Sequence, residues 1–131
     1  MIVGVGIDVV EIERIRDLRQ RRGDRFCERV FTAGEVSACL QREDPAPSLA
    51  ARFAAKEAGM KALGTGWGEG VGWRDLEVVS LAGKQPRLEL HGRAASRAAE
   101  LGAYCSHLSL SHDGGVAAAV VVLEARKGTG T

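Results

Sequence analysis

The chain has 131 residues, of which 45% are hydrophobic and 27% are charged, and its formal net charge is +1. These values are typical of one water-soluble globular domain, and no apolar run approaches the ~20 residues that a membrane span requires. The cysteines are widely spaced, form no CxxC pair and are interpreted as buried apolar side chains: Cys27, Cys39 and Cys105. The unpaired cysteines, together with the lack of a basic leader before the first apolar stretch, predict a cytoplasmic protein that binds no membrane.

The first half of the chain is predicted to form one strand and three helices. The β-branched stretch IVGVGIDVV predicts a buried strand over residues 2–9, and EIERIRDLRQRR predicts a helix that Gly23 ends. In TAGE, Thr32 is the first residue of a capping box that starts a short helix. Ser48 is expected to cap a long helix that runs to Leu63.

The second half is predicted to contain two hairpins separated by a helix. DLEVVSL and PRLEL alternate around AGKQ, and HLSLSH pairs with VAAAVVVLE, whose apolar character predicts a central strand. GRAASRAAELG between them is typical of a short helix. Residues 1–125 are therefore expected to form one domain of the α+β (or irregular α/β) class with a largely antiparallel sheet, followed by a disordered tail over 126–131.

Two carboxylates lie in apolar surroundings and suggest a metal site. Asp8 is near the end of the first strand, and Glu57 projects beside the apolar stripe of the long helix. Oxygen ligands from two separate elements favour Mg²⁺, whereas the three histidines show no zinc spacing. An alternative stays open, in which Asp8 caps the first helix and Glu57 pairs with Lys61 at i+4.

An anion site is predicted beside these carboxylates. It combines three cations of the long helix with the backbone N–H groups of the glycine-rich turn that follows: Arg52, Lys56, Lys61, Gly64, Thr65 and Gly66. The turn is not a Walker loop, because its glycines follow the helix. Magnesium, cations and glycines together indicate a substrate that carries a pyrophosphate group, which the spacing does not identify.

Residues 14–29 hold seven arginines and only three acids, which predicts a surface for an acidic partner. Nucleic acid is not the favoured partner, since this segment has one aromatic residue and no nucleic-acid-binding motif. A solvated arginine-rich helix face is the alternative interpretation.

The stretches VGVGIDVVEIERI and RFAAKEAGMKALGTG resemble the two signature motifs of the holo-(acyl-carrier-protein) synthases, the short bacterial 4'-phosphopantetheinyl transferases. Further along the chain, GKQPRLEL resembles the stretch before the second hairpin in sequences of this family, and HLSLSHDGGVAAAVVV resembles their C-terminal hairpin. The resemblance covers nearly the whole chain and omits only the loop around residues 40–48 and the tail. It implies a phosphopantetheinyl-transferase-like fold.

The resemblance also implies a role for each motif residue. Asp8 and Glu57 would bind the Mg²⁺ that holds the pyrophosphate of coenzyme A, with water completing the shell, because Val10 stands where larger transferases have a further carboxylate. Glu57 and Lys61 would be catalytic, and Glu57 or a metal-bound water would be the base, although Glu35 and Asp113 stay open. The residues expected to bind coenzyme A are Arg52, Lys61, Gly64, Thr65, Gly66, Pro86 and His112.

The implied reaction is Mg²⁺-dependent transfer of 4'-phosphopantetheine from coenzyme A to a serine of an apo-acyl-carrier protein, which releases adenosine 3',5'-bisphosphate. Lys56 is expected to pack its stem in the apolar stripe and to reach an anion or a carbonyl group. Arg14, Arg21 and Arg25 would bind the acidic carrier protein, and the family implies a homotrimer with sites between protomers. Two alternatives stay open: another Mg²⁺-dependent pyrophosphate-cleaving enzyme, or a non-catalytic module that binds coenzyme A or a carrier protein.

Overall fold

The computed structural model describes residues 1–65, 69–81 and 83–127. Its helices and strands confirm the predicted α+β class. In chain order they are β1 (Ile2–Glu11), α1 (Ile12–Arg22), α2 (Asp24–Val30), α3 (Ala33–Leu40), α4 (Ala46–Leu63), β2 (Leu76–Val79), β3 (Arg87–Leu90), α5 (Gly92–Glu100), β4 (Ala103–Asp113) and β5 (Val116–Ala125). Two sequence predictions fall outside the described residues: the anion contact of Gly66, and the disordered tail from residue 128 onward.

The larger sheet has three antiparallel strands in the order β1–β5–β4, so the last strand is central, as its apolar sequence predicted. Strands β2 and β3 form a separate antiparallel hairpin, also as predicted. No helix in the described part of the chain is long and apolar enough to cross a membrane.

Helix α4 packs against β1 and β5, and two glycines of β1 allow the backbones to approach closely. A Cβ atom on Gly4 would overlap the carbonyl oxygen of Ala62, and one on Gly6 would overlap that of Ala58. Because side chains alternate along a strand, Asp8 projects from the same face of β1 as the two glycines. The close contact therefore brings the Asp8 carboxylate against α4.

The opposite face of β1 is apolar and exposed. Val5, Ile7 and Val9 are each more than half exposed, and the neighbouring residue Val116 of β5 is also exposed. Aliphatic residues on three consecutive outward positions are unusual for a surface that meets only water. This outer sheet face is therefore a surface on which a partner could pack.

Two local predictions differ from the structure. Helix α4 begins at Ala46, with Pro45 at the N-cap, so Ser48 lies inside the helix and does not cap it. Its hydroxyl instead bonds to the guanidinium of Arg52. Residues 24–30 form the unpredicted helix α2, whereas the capping box between Thr32 and Glu35 is confirmed.

Candidate active site

The contact between β1 and α4 assembles a cluster of three charged groups. Glu57 and Lys61 each precede one of the alanines that touch β1, so both project beside the strand. The Nζ atom of Lys61 lies 3.1 Å from Oδ1 of Asp8 and donates to the carbonyl oxygen of Ile7 at 3.0 Å. The strand and the helix thus bring together the three residues that the sequence motifs single out.

Glu57 is half-buried, and its surroundings raise the pKa of its carboxyl group. Burial is the main cause, and the negative charge of Asp8 raises this pKa further, while Lys61 and Arg14 oppose the shift. Two carboxylates that repel each other in a partly dry site are stabilised when a cation neutralises both. Their oxygen atoms suit a hard cation such as Mg²⁺, so the donor set fits the predicted ion.

The alternative interpretation of these carboxylates is not supported. Glu11, rather than Asp8, is the N-cap of α1, and no side chain caps that helix. The described ion pair of Lys61 is with Asp8 and not with Glu57. Val10 is buried in the core, so this position adds no polar ligand to the cluster.

Lys56, although part of the same motif, does not belong to the cluster. Its side chain is fully buried, and its Nζ lies 2.7 Å from Oε1 of Glu35 and donates to the carbonyl oxygens of Trp73 and Leu76. Burial lowers the pKa of Lys56, which the charge of Glu35 opposes. Lys56 was expected to reach an anion or a carbonyl group, and it contacts both kinds of group, all of them inside the protein. Buried Glu35 also accepts the N–H of Val78 and cannot reach a substrate as a base.

An open cavity of about 730 Å³ lies apart from the carboxylate cluster. It is lined by three of the residues predicted to bind coenzyme A, namely Arg52, Pro86 and His112. This volume is in the range of small-molecule sites, about 300–1,000 Å³. The sequence did not indicate that two further cations, Arg42 and Lys84, also line it. The lining residues that matter here are Arg42, Arg52, Ser80, Lys84, Pro86 and His112.

Arg52 is held inside this cavity wall by neutral groups only. Its Nη1 donates to Ser48 Oγ at 2.6 Å and its Nη2 donates to Ser80 Oγ at 3.0 Å. Its buried Nε has no hydrogen-bond partner among the described residues. No described carboxylate neutralises this guanidinium, so its positive charge remains at the cavity wall.

The cavity and the carboxylate cluster lie on different sides of α4. At 100° per residue, Glu57 and Lys61 project about 140° and 180° around the helix axis from Arg52. One chain therefore presents the two halves of the predicted site in different directions.

The turn after α4 differs from its predicted role. The N–H of Gly64 donates to the carbonyl oxygen of Lys61, and the N–H of Thr65 donates to that of Met60. These two groups close the carboxyl end of the helix, where the helix dipole repels anions. The predicted anion contact through these N–H groups therefore has no support in this geometry, although the buried hydroxyl of Thr65 lacks a partner among the described residues.

The arginine-rich segment forms α1 and α2, and the structure distinguishes its members. Arg16 is paired with two acids. Arg14, Arg21 and Arg25 are exposed and make no ion pair with the acids of the described residues. Arg14 lies 5.6 Å from the ring centre of Phe53, and its charge opposes the upward shift in the pKa of Glu57. Arg14 therefore borders the carboxylate cluster.

The model of the 4'-phosphopantetheinyl transferase superfamily matches residues 4–121 of the chain. The chain belongs to this superfamily, which defines it as a transferase. Within the superfamily it is similar to the holo-[acyl-carrier-protein] synthases. The one from Anaeromyxobacter dehalogenans is 52% identical over 133 residues, which cover 99% of each chain.

Solved structures of the same enzymes share the fold. The holo-[acyl-carrier-protein] synthase of Neisseria meningitidis superposes with a TM-score of 0.83 at 37% identity, over 95% of this chain and 99% of that one. The enzyme of Helicobacter pylori, solved in complex with coenzyme A, superposes with a TM-score of 0.80 at 32% identity, over 92% and 99% of the two chains. The resemblance found in the sequence motifs is confirmed.

Proposed function

We propose that the protein transfers 4'-phosphopantetheine from coenzyme A to a serine hydroxyl of an apo-acyl-carrier protein. The meeting of Asp8, Glu57 and Lys61 at the contact between β1 and α4 carries this proposal. Similarity to holo-[acyl-carrier-protein] synthases, one of them solved with coenzyme A, supports the two substrates. The free thiols of all three cysteines fit a reducing cytoplasm as the place of the reaction.

In the proposed reaction the serine oxygen bonds to the phosphorus next to pantetheine as the bond from that phosphorus to the bridging oxygen breaks. Asp8 and Glu57 would hold a Mg²⁺ ion, which neutralises charge on the pyrophosphate. Lys61, more than half exposed, would turn from Asp8 to the departing adenosine 3',5'-bisphosphate. Glu57 is half-buried in the same cluster and would accept the serine proton.

We further propose a homotrimer in which each site is shared. The exposed apolar face of β1 supports association, because burying it removes aliphatic surface from water. The family resemblance supplies the number three. Since the cavity and the carboxylate cluster point to different sides of α4, one coenzyme A would bridge the cluster of one protomer and the cavity of its neighbour.

Mass spectrometry of an apo-carrier protein incubated with coenzyme A and Mg²⁺ tests the activity. We expect the mass of one phosphopantetheine to be added by the wild type. Asp8→Ala and Glu57→Ala should lower the rate by about 10²-fold or more, because each removes charge that the reaction needs. Glu100→Ala, which removes an exposed carboxylate of α5, is the matched control and should leave the rate unchanged. Undiminished transfer in excess EDTA, or by both variants, would contradict the proposal.

A further inference from the structure

On the outer face of the larger sheet, three side chains that bind metals in proteins lie together at one end of β4 and β5. Cys105 and Glu124 are cross-strand partners, and His107 follows Cys105 by two residues on the same face. Because α4 packs on the other face, this cluster is separate from Asp8 and Glu57. The proposed transfer reaction uses none of the three.

Two of the three distances within the cluster match those between ligands of one zinc ion. Cys105 Sγ lies 3.5 Å from Nε2 of His107 and 3.6 Å from Oε1 of Glu124, and Nε2 and Oε1 are 2.9 Å apart. Tetrahedral zinc with bonds of about 2.0–2.3 Å separates its ligand atoms by about 3.3–3.6 Å. The two distances that involve sulfur already have this value, and the third is shorter because nitrogen and oxygen share a hydrogen bond.

From this geometry we propose that Cys105, His107 and Glu124 form a site for a zinc ion. A thiolate, an imidazole and a carboxylate are together the ligands that zinc accepts, and hard cations such as Mg²⁺ avoid sulfur. Binding would release the thiol proton and replace the hydrogen bond between His107 and Glu124 with two metal bonds. The three protein ligands leave the fourth position to a water molecule or another donor.

The other two cysteines do not compete for the ion. Cys27 and Cys39 are buried in the core, and burial raises the pKa of both thiols, so they resist becoming the thiolates that a metal requires. Cys105 is only partly buried and lies on edge strand β4, which β5 separates from the apolar face of β1 that would pack in a trimer. A metal–thiolate signal from this protein would therefore report on Cys105.

Cobalt(II) titration in excess Mg²⁺ tests the site, because cobalt replaces zinc in tetrahedral sites and absorbs light when bound to a thiolate. We expect one Co²⁺ per chain, near-ultraviolet thiolate-to-metal absorption and intense visible bands, all abolished by one equivalent of Zn²⁺. Cys105→Ser should remove the near-ultraviolet band, and both it and His107→Ala should weaken binding by about 100-fold or more. Circular dichroism and gel filtration would verify that each variant keeps its fold and assembly.

Two matched variants locate the signal. The described residues contain one more cluster with the side-chain types that can hold a metal ion, formed by Glu77, Glu89 and His91. His91→Ala and Asp8→Asn should both bind Co²⁺ like the wild type. Absence of the thiolate band in the wild type, unchanged affinity in Cys105→Ser, or loss of binding in His91→Ala would overturn the proposal.

Discussion

The ion pair between Lys56 and Glu35 joins four separate parts of the fold. The lysine comes from the middle of α4, and the glutamate caps the start of α3. The remaining donors of Lys56 bind carbonyl groups at Trp73 and Leu76, and the second carboxylate oxygen of Glu35 binds the N–H of Val78 in β2. A charged pair that satisfies this much backbone is part of the core.

Lys56→Met should destabilise the protein by about 3–5 kcal/mol, because it leaves the carboxylate of Glu35 buried without its cation. Chemical denaturation monitored by circular dichroism measures this loss. Lys61→Met on the same helix is the matched control. Its side chain is exposed, so the free energy of unfolding should change by less than about 0.5 kcal/mol, while transfer activity is lost. A Lys56→Met variant as stable as the wild type would contradict the structural role.

Sequence reasoning located the carboxylates but not every other site residue, for physical reasons. Asp8 and Glu57 stand out because a charge among apolar residues requires a local explanation. Arg42 and Lys84 are ordinary surface cations until a loop and a hairpin bring them to one cavity. The likeness of the chain to its family could not identify Cys105 as a ligand either, since the approach of Glu124 depends on the register of β4 with β5.

At the scale of elements, the absence of side chains at Gly4 and Gly6 determines how closely β1 approaches α4. The overlaps that a Cβ would create are with backbone carbonyl groups of the helix, which cannot rotate away. A larger residue would separate the strand from the helix. The Asp8 carboxylate would then withdraw from Glu57 and Lys61.

Gly6→Ala should therefore lower both stability and transfer, with a loss of about 1–3 kcal/mol from overpacking. Thermal unfolding and the carrier-protein assay measure the two effects. Gly34→Ala is the control, because Gly34 is in helix α3 and a Cβ there would meet its nearest neighbour at an ordinary 3.4 Å. That control should be neutral or slightly stabilising. Equal behaviour of the two variants would show that the close approach does not position the site.

The elements were predicted where a local signal marks their ends. The capping box at Thr32 and the left-handed Gly64 are such signals, and both mark helix ends as expected. The start of α4 was misplaced because proline is compatible with the first turn of a helix, where Pro47 lies, so the helix begins at Ala46. Helix α2 was missed because it has only seven residues, and packing of Phe26 and Val30 stabilises it rather than sequence-local capping.

For the whole molecule, the different directions of the two half-sites make a specific prediction about mixed trimers. Glu57→Ala damages the carboxylate cluster, and the double variant His112→Ala, Lys84→Glu damages the cavity. Each protein alone should be nearly inactive. Unfolding and refolding them together should restore part of the activity, because some interfaces then combine an intact cluster with an intact cavity.

Refolding each variant alone is the control for this experiment, and native mass spectrometry counts the hybrid trimers. If hybrids form and no activity returns, both half-sites belong to the same chain. If only monomers form at micromolar concentration, the proposed assembly itself is wrong.

The exposed arginines of α1 predict how the carrier protein docks. Arg14→Glu with Arg21→Glu should raise the KM for the carrier protein by about tenfold or more and leave the KM for coenzyme A nearly unchanged. Added salt should raise the same KM for the wild type, since charges are screened over about 10 Å at 0.1 M. Arg126→Glu, which reverses an exposed arginine outside the arginine-rich segment, is the control. A carrier-protein KM that is insensitive to salt would exclude this docking surface.

The central position of β5 in the sheet also affects how the protein folds during its synthesis. Strands β1 and β5 are neighbours, and hydrogen bonds between Met1 and Ala125 join the start of one to the end of the other. While the ribosome is still adding residues 116–125, β1 and β4 have no central strand between them. The sheet therefore cannot close before β5 has been synthesised, and until then the nascent β1 exposes apolar side chains that chaperones could bind.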